Sequence, residues 1–397
     1  MTPLPPLVDV VIVGGGIVGI TTAYYLLSNP NSPHPTQVTL IEPVDVAHAA
    51  SGRAMGMIGR DWQESSTRQL AQLSWQCYEE LAAKSGGRDA WDWMESEALG
   101  VEVVSGAQLS RYRSLPKGNS REQVSIGHST GKCTTWGRAG LAMCESSRHP
   151  FLRREPLACR LTHNSTPAKF CQFVHAECTK LGLRTVFGRP TAFDHQTSLT
   201  VSLNDGTAEE LPFTRLLLSA GPWTTVVAKQ LGLPCPLIGN LPGHSIHIAP
   251  SPGWSDDLVG KSIFAGITDE TEDSMDAIAW GGGERRGGQS EHGCTSSVEL
   301  VSRQEGYVYV AGENRTPTTA RNGIPDPQAV NGALDVDLVG RLCRSAAKLS
   351  PLLDIRKGAK LVHSQVCYRP TRPGGTPVLS KLGGSSSIYI AAGHGPW

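Results

Sequence analysis

The sequence has no surplus of either charge: 36 Lys plus Arg stand against 36 Asp plus Glu over 397 residues. That balance excludes recognition of nucleic acid or an anionic membrane by bulk charge. Ten cysteines occur, but none are paired as Cys-x-x-Cys. Cys133, Cys144 and His149 also lack metal-ligand spacing, so no metal is expected, and reduced thiols in an intracellular compartment are the better reading than a disulfide framework. Lys and Arg are missing ahead of Arg53, which excludes the early positive charge of a signal or transit peptide. One stretch, Leu7 to Leu27, has the length of a membrane span and a single charge, Asp9. Three consecutive glycines interrupt it, and a membrane role is set aside. No internal repeat is present.

The chain length suggests two or three domain-sized units, and 44 Gly with 27 Pro indicate many tight turns. "VDVVIV" is a β-branched apolar run of the kind buried in a parallel sheet. It is followed by "GGGIVG", a helix through "ITTAYYLLS" and a second strand, "VTLIE", which together make a βαβ unit. Residues 64–84 predict a helix with Leu70, Leu73, Cys77 and Leu81 at helical spacing, and 167–180 predict another. "LRTVFG" and "RLLLSAGPWTT" read as strands, the latter running into a turn. Residues 245–312 alternate in places, as an antiparallel sheet does. "VDLVGRLCRSAAKLSPLL" is an amphipathic helix, and "WDWM" (91–94) reads as core or domain packing. Residues 105–150 show little periodicity.

Gly14, Gly16 and Gly19 form GxGxxG between a strand and a helix. The first permits a tight turn, the second lets backbone approach a pyrophosphate, and the third packs helix on strand. Ile17 and Val18 open the helix whose N-terminus favours anions. Glu42, followed by Pro43, ends the next strand about 23 residues on, where an acid can take ribose hydroxyls. The rival is an ordinary strand–helix turn with an exposed Glu. The segment "ASGRAMGMIGRDW" (50–62) then brings small residues, among them Ser51, Gly52, Gly56 and Met57, which allow close approach to a flat ring.

With "LLLSAGPWT" (216–224), "CYRPTRPGGTPVLSKLGG" (367–384) and "YIAAGHGPW" (389–397), these motifs make the chain resemble the D-amino-acid-oxidase-like family of FAD-dependent oxidoreductases, which includes glycine and sarcosine oxidases. The resemblance covers residues 8–84, 155–250 and 300–397. It implies an α/β (α+β overall) fold: a Rossmann-like FAD-binding domain of the glutathione-reductase type, interrupted by an antiparallel β-rich substrate domain. The expected division is 1–90, 156–240 and 356–397 for the FAD-binding domain and 241–355 for the substrate domain, with 91–155 a poorly assigned segment of the substrate domain. The implied reaction oxidises the C–N bond of a small amine or amino acid by hydride transfer to the flavin, with O2 as acceptor giving imine and hydrogen peroxide.

Several site residues follow from the resemblance. Pro190 occupies the position from which the family reads adenine through backbone, and has no N–H to give. Ala220, Gly221 and Trp223 lie in the flavin-binding "SAGPW". Arg369 stands where relatives grip the substrate carboxylate, a task suited to a planar guanidinium fork. Arg60 is a second candidate for that carboxylate, its rival role being an ion pair with Asp61 or Glu64. Cys367 matches the position of a covalent flavin link, against the reading of a buried small hydrophobe. Gly393 and Gly395 are candidates for ring contact. His394 either faces the flavin or is satisfied by backbone.

Trp397 stands where sarcosine oxidases carry a substrate-binding lysine, which disfavours sarcosine. The family continues past "GHGPW" into a helix that starts near the flavin ring, so the chain reads as lacking that helix. Two alternatives accompany the oxidase reading: a flavin-binding protein without turnover, acting in regulation or trafficking, and an NAD(P)-dependent dehydrogenase. His244 and His247 read as strand residues on one solvent-facing side, and "GENRTPT" (312–318) as a loop. Cytoplasmic residence is expected, or peroxisomal residence if a C-terminal signal lies beyond Trp397.

Overall fold

The computed structural model describes residues 8–31, 36–63, 65–104, 111–114, 162–194, 197–269, 294–312, 323–382 and 387–395. The unassigned 105–150 region apart from 111–114, the loop at 313–318, Cys133, Cys144, His149 and Trp397 lie outside the described residues. Among the described residues, two seven-stranded sheets carry the fold, beside a three-stranded one.

In the first sheet, strand Val8–Val13 runs parallel between Val38–Glu42 and Ala208–Leu218. Arg184–Asp194 flanks the former, and Ile388–Ala392 flanks the latter, both in parallel. Val378–Lys381 closes the far edge in antiparallel. The continuous apolar runs have a reason. Both faces of this sheet are covered, so alternation would place polar groups in the core. Val11 and Val13 pack with Leu216, Leu218 and Ala228 of helix Thr224–Gln230 on one side. Ile12 and Leu40 pack with Ile20 of helix Ile17–Leu27 and with Phe170 and Val174 of helix Pro167–Lys180 on the other.

The second sheet runs in the order Lys360–Thr371, Gly239–Ala249, Val308–Gly312, Cys294–Ser302, Ser262–Asp269, Ala98–Val104, Arg111–Ser114. It is antiparallel except where Ser262–Asp269 meets Ala98–Val104. Helix Val336–Leu349 covers one face, its Leu342 and Ala346 against Ile246, Ile248 and Val310. Its N-terminus is capped by the Asp335 carboxylate, which accepts from the amides of Asp337 and Leu338. The other face looks toward the first sheet. Lys360–Thr371 pairs along its length with Gly239–Ala249, and Val378–Lys381 is the next strand in the first sheet. The hydrophobic pattern of a strand reports its burial and not which sheet it joins.

Two expectations are corrected. Helix Arg68–Ser85 exists, but Leu70 and Leu73 are 38% and 58% exposed. The buried face is set by Trp75, Leu81 and Ala82, with Tyr78 stacked on Trp93 at 5.4 Å. Aromatic rings bury more area per residue than leucine and so determine how the helix is rotated. Trp91 and Trp93 are core, as read.

His244 and His247, three residues apart in one strand, lie on opposite faces of the sheet and not on one solvent-facing side. His244 is buried, and its Nε2 accepts the Asp335 N–H at 3.0 Å. His247 stacks on Tyr307 with ring centres 4.4 Å apart. Burial, then the neighbouring His363 and Arg303, push its pKa from 6.5 down to about 4. The unfolded chain therefore takes up a proton that the fold refuses. Stability is unaffected above the unfolded value and falls as pH drops from about 6.5 toward 4. His247→Phe keeps the ring stack without titrating. It is expected to reduce the stability lost between pH 7 and 4.5 by on the order of 2 kcal/mol, measured by urea unfolding at both pH values. Equal losses in variant and parent would show that His247 is not responsible.

Among the described residues, no helix is long and apolar enough to cross a membrane.

Candidate active site

A cavity of about 580 Å3 runs from the glycine turn to the inner face of the second sheet, within the range of small-molecule and cofactor sites (roughly 300–1,000 Å3). At its near end the turn is cross-braced. The Gly15 N–H donates to Glu42 Oε2 at 2.8 Å, the Val44 N–H to Glu42 Oε1 at 3.1 Å, and the Ala47 N–H to the Gly15 carbonyl at 2.9 Å. Helix Ile17–Leu27 has Gly16 at its N-cap and no local side-chain cap. Ser51 serves instead, its hydroxyl accepting the Ile17 N–H at 2.9 Å.

The glycines are required by close approach. A Cβ on Gly14 would lie 2.5 Å from the Ser219 carbonyl oxygen, at a φ of +111° that disfavours any side chain, and a Cβ on Gly19 would lie 2.0 Å from the Gly14 carbonyl oxygen. Gly14, Gly16, Ile17 and Val18 line the cavity; Gly19 sits behind them as helix packing. Glu42 also lines it. Burial raises its carboxyl pKa, and the two backbone N–H donors oppose that. Two donors leave a carboxylate with lone pairs for further hydroxyls.

Along the same cavity lie Pro43, Ser51, Gly56, Met57, Pro190, Ala220, Gly221 and Trp223. Gly52 lies just outside the lining, where a Cβ would meet the Ala47 carbonyl at 2.2 Å. At the far end, the inner face of the second sheet contributes Cys367, Arg369, Tyr309 and Glu299. His394 and Gly395 enter from the turn after Ile388–Ala392, the Gly395 N–H donating to the Pro370 carbonyl at 2.6 Å. Gly393 does not line the cavity; its φ of +82° makes the turn beside Ile238 and Arg372. Burial holds the His394 imidazole below its usual pKa. Burial raises the Cys367 thiol, while the guanidiniums of Arg369 and Arg53 pull it down.

Arg60 is not brought to the cavity. It pairs with Asp61 at 3.0 Å, its side chain 38% exposed.

Two buried arginines escaped the sequence reading. Arg53 donates from Nε to the His48 carbonyl at 2.9 Å and from Nη1 to the Val366 carbonyl at 2.8 Å. Its own carbonyl accepts from the Tyr309 hydroxyl at 2.7 Å and from Gln365 Nε2 at 3.3 Å. Arg303 donates to the Ser165 carbonyl at 2.8 Å and to the Met55 carbonyl. Both tie the small-residue segment after Glu42 to the second sheet, and so set the width of the cavity. A lone arginine within "ASGRAMGM" was the available signal for Arg53. Arg303 had none.

The glycine cradle, the braced acid and the apolar cleft fit a dinucleotide cofactor. The family described as FAD dependent oxidoreductase (DAO) matches residues 9–397. The oxidoreductase candidate C1F5.03c of Schizosaccharomyces pombe is 25% identical, covering 98% of this chain and 89% of its own. The oxidoreductase candidate TDA3 of Saccharomyces cerevisiae is 24% identical, covering 98% and 88%. Among solved structures, glycine oxidase from Geobacillus kaustophilus superposes with a TM-score of 0.63 at 15% identity, covering 98% of this chain and 89% of that one. An L-amino acid deaminase from Proteus vulgaris superposes at 0.57 and 16%, covering 99% and 86%. These superpositions share the fold.

Proposed function

Because this chain belongs to the DAO family of FAD-dependent oxidoreductases, we propose that it oxidises the C–N bond of a small amine or amino acid, with Arg369 receiving the substrate carboxylate. The observation that carries this reading is the placement of Arg369 on the inner face of the second sheet, in one cavity with the glycine cradle. The FAD-binding domain is read as the first sheet and its helices, and the substrate domain as the second sheet.

The residues fall into two groups. Gly14, Gly16 and Val18 would hold the pyrophosphate at the helix N-terminus, and Glu42 would take the ribose hydroxyls. When bound, FAD would supply the acceptor for the substrate's hydride, with O2 as the final oxidant giving hydrogen peroxide and an imine, hydrolysed by water, as the substrate's product. Arg369 fixes the orientation of the substrate through a bidentate contact, and the sheet above it keeps water from the reacting carbon. His394, whose imidazole burial holds below its usual pKa, offers an acceptor for the substrate's ammonium proton. Similarity to a glycine oxidase and an L-amino acid deaminase supports the substrate class.

We read the flavin as non-covalent, because burial raises the Cys367 pKa and so favours the thiol over the thiolate. Acid precipitation of the purified protein is expected to leave all flavin in the supernatant, and Cys367→Ala is expected to stay yellow. Flavin in the pellet, lost on Cys367→Ala, would establish the covalent link instead. Peroxide release on a panel of amines and amino acids tests the reaction. A yellow protein that turns over none of them would favour a flavin-binding factor without turnover.

A further inference from the structure

The segment Gly323-Ile324-Pro325-Asp326-Pro327 has no place in the reading above. It lies between strand Val308–Gly312 and helix Val336–Leu349, both in the layer of the second sheet. Yet it crosses to the first, and Ile324, Pro325, Asp326 and Pro327 all line the cofactor cavity. Its two prolines have fixed φ and so restrict the free chain, which reduces the entropy lost when the segment is held.

Separate elements of the first-sheet layer grip it in turn. Trp223, in the turn after Ala208–Leu218, donates its indole N–H to the Pro325 carbonyl at 2.8 Å. Arg189, in strand Arg184–Asp194, holds the Asp326 carboxylate with both terminal nitrogens, Nη2 to Oδ1 at 2.6 Å. The His48 imidazole is within reach of the Pro327 backbone. Beneath the segment, Ile324 packs with Trp223, Val330 and Tyr368 in a small apolar cluster.

The position of these grips matters more than their number. Arg189 stands close enough to Glu42 for the two charges to influence each other, which places the ion pair at the adenosine end. An ion pair with side chains 39% and 44% exposed contributes little to overall stability. One that bridges the mouth of a cleft must break before a long ligand can leave, and so acts on the dissociation rate.

We propose that Gly323–Pro327 is a strap over the adenosine end of the dinucleotide site, and that the Arg189–Asp326 pair governs how slowly the dinucleotide is released. This rests on the FAD reading above. The strap also explains how the second sheet's layer takes part in holding a cofactor whose cradle belongs entirely to the first.

The test follows flavin fluorescence as purified holoprotein is diluted, for the parent, Asp326→Asn and Asp326→Glu, at low and high salt. Asp326→Asn is expected to release flavin about tenfold faster. Asp326→Glu, which keeps the charge, should stay within about threefold of the parent. Salt is expected to accelerate release from the parent but not from Asp326→Asn, because only the parent has the pair to screen. Equal release rates for the parent and Asp326→Asn would overturn the strap alone. So would a variant whose flavin-free form melts lower while its release rate is unchanged, since the pair would then be structural. A parent protein that binds no flavin would overturn the cofactor reading, and the strap with it.

Discussion

Arg369→Leu is expected to lower kcat/KM for the best amino-acid substrate by about 10²–10³-fold while the protein stays yellow. The magnitude follows from removing one partner of a charge-assisted, water-excluded contact, a loss of about 3–4 kcal/mol. The flavin is expected to remain because Arg369 lines the far end of the cavity from the glycine turn and Glu42. Leucine keeps much of the bulk against Gly243, where the guanidinium packs. A second readout separates binding from chemistry. Small carboxylates such as acetate or benzoate should perturb the flavin spectrum of the parent and not of the variant. If the variant keeps its kcat/KM and its carboxylate-induced shift, the substrate anion is held elsewhere. Arg369→Lys should recover only part of the loss, since an ammonium cannot form the fork.

Gly16→Val is expected to give a folded protein whose flavin content falls at least about tenfold. Gly16 has a φ of −74°, which any residue adopts, and its added Cβ would meet only the Ser51 hydroxyl, at 3.1 Å. The branched side chain would occupy the space where backbone must approach the pyrophosphate. Gly14→Ala should behave differently. Its φ and its contact with the Ser219 backbone place the cost in the fold itself, so loss of soluble protein is expected before loss of colour. Absorbance at the flavin band, set against a thermal melt, tells the two apart. A Gly16→Val protein with full flavin content would remove the pyrophosphate from this turn.

Much of the dinucleotide half was legible because its signals are local. The run Val8–Val13, the three glycines and the acid at Glu42 lie within a few turns of one another, and each constrains its neighbours. Helix Pro167–Lys180 was legible for the same reason, with Phe170 and Val174 in period. The rest depends on partners distant in sequence. Arg53 looks like an ordinary surface arginine until Val366, 313 residues later, accepts its hydrogen bond. Asp326 carries no mark of Arg189, 137 residues earlier. His247 becomes a half-buried stacking ring because Tyr307, just ahead of strand Val308–Gly312, and His363, from the neighbouring strand, come up against it. Arg369 and Cys367 were found through motif resemblance and not through any period. The resemblance could not say that their strand would join the second sheet.

The parallel sheet has a consequence for synthesis. Ala208–Leu218 lies between Val8–Val13 and Ile388–Ala392, so one edge of it stays bare until a strand made about 170 residues later emerges from the ribosome. At 5–20 residues per second that interval is roughly 9–35 s. During it, an apolar strand with unpaired amides and carbonyls is open to any other extended chain. Chaperone occupancy of nascent chains should therefore rise once residue 218 has emerged and fall once residue 392 has, with the cofactor able to bind tightly only after that release.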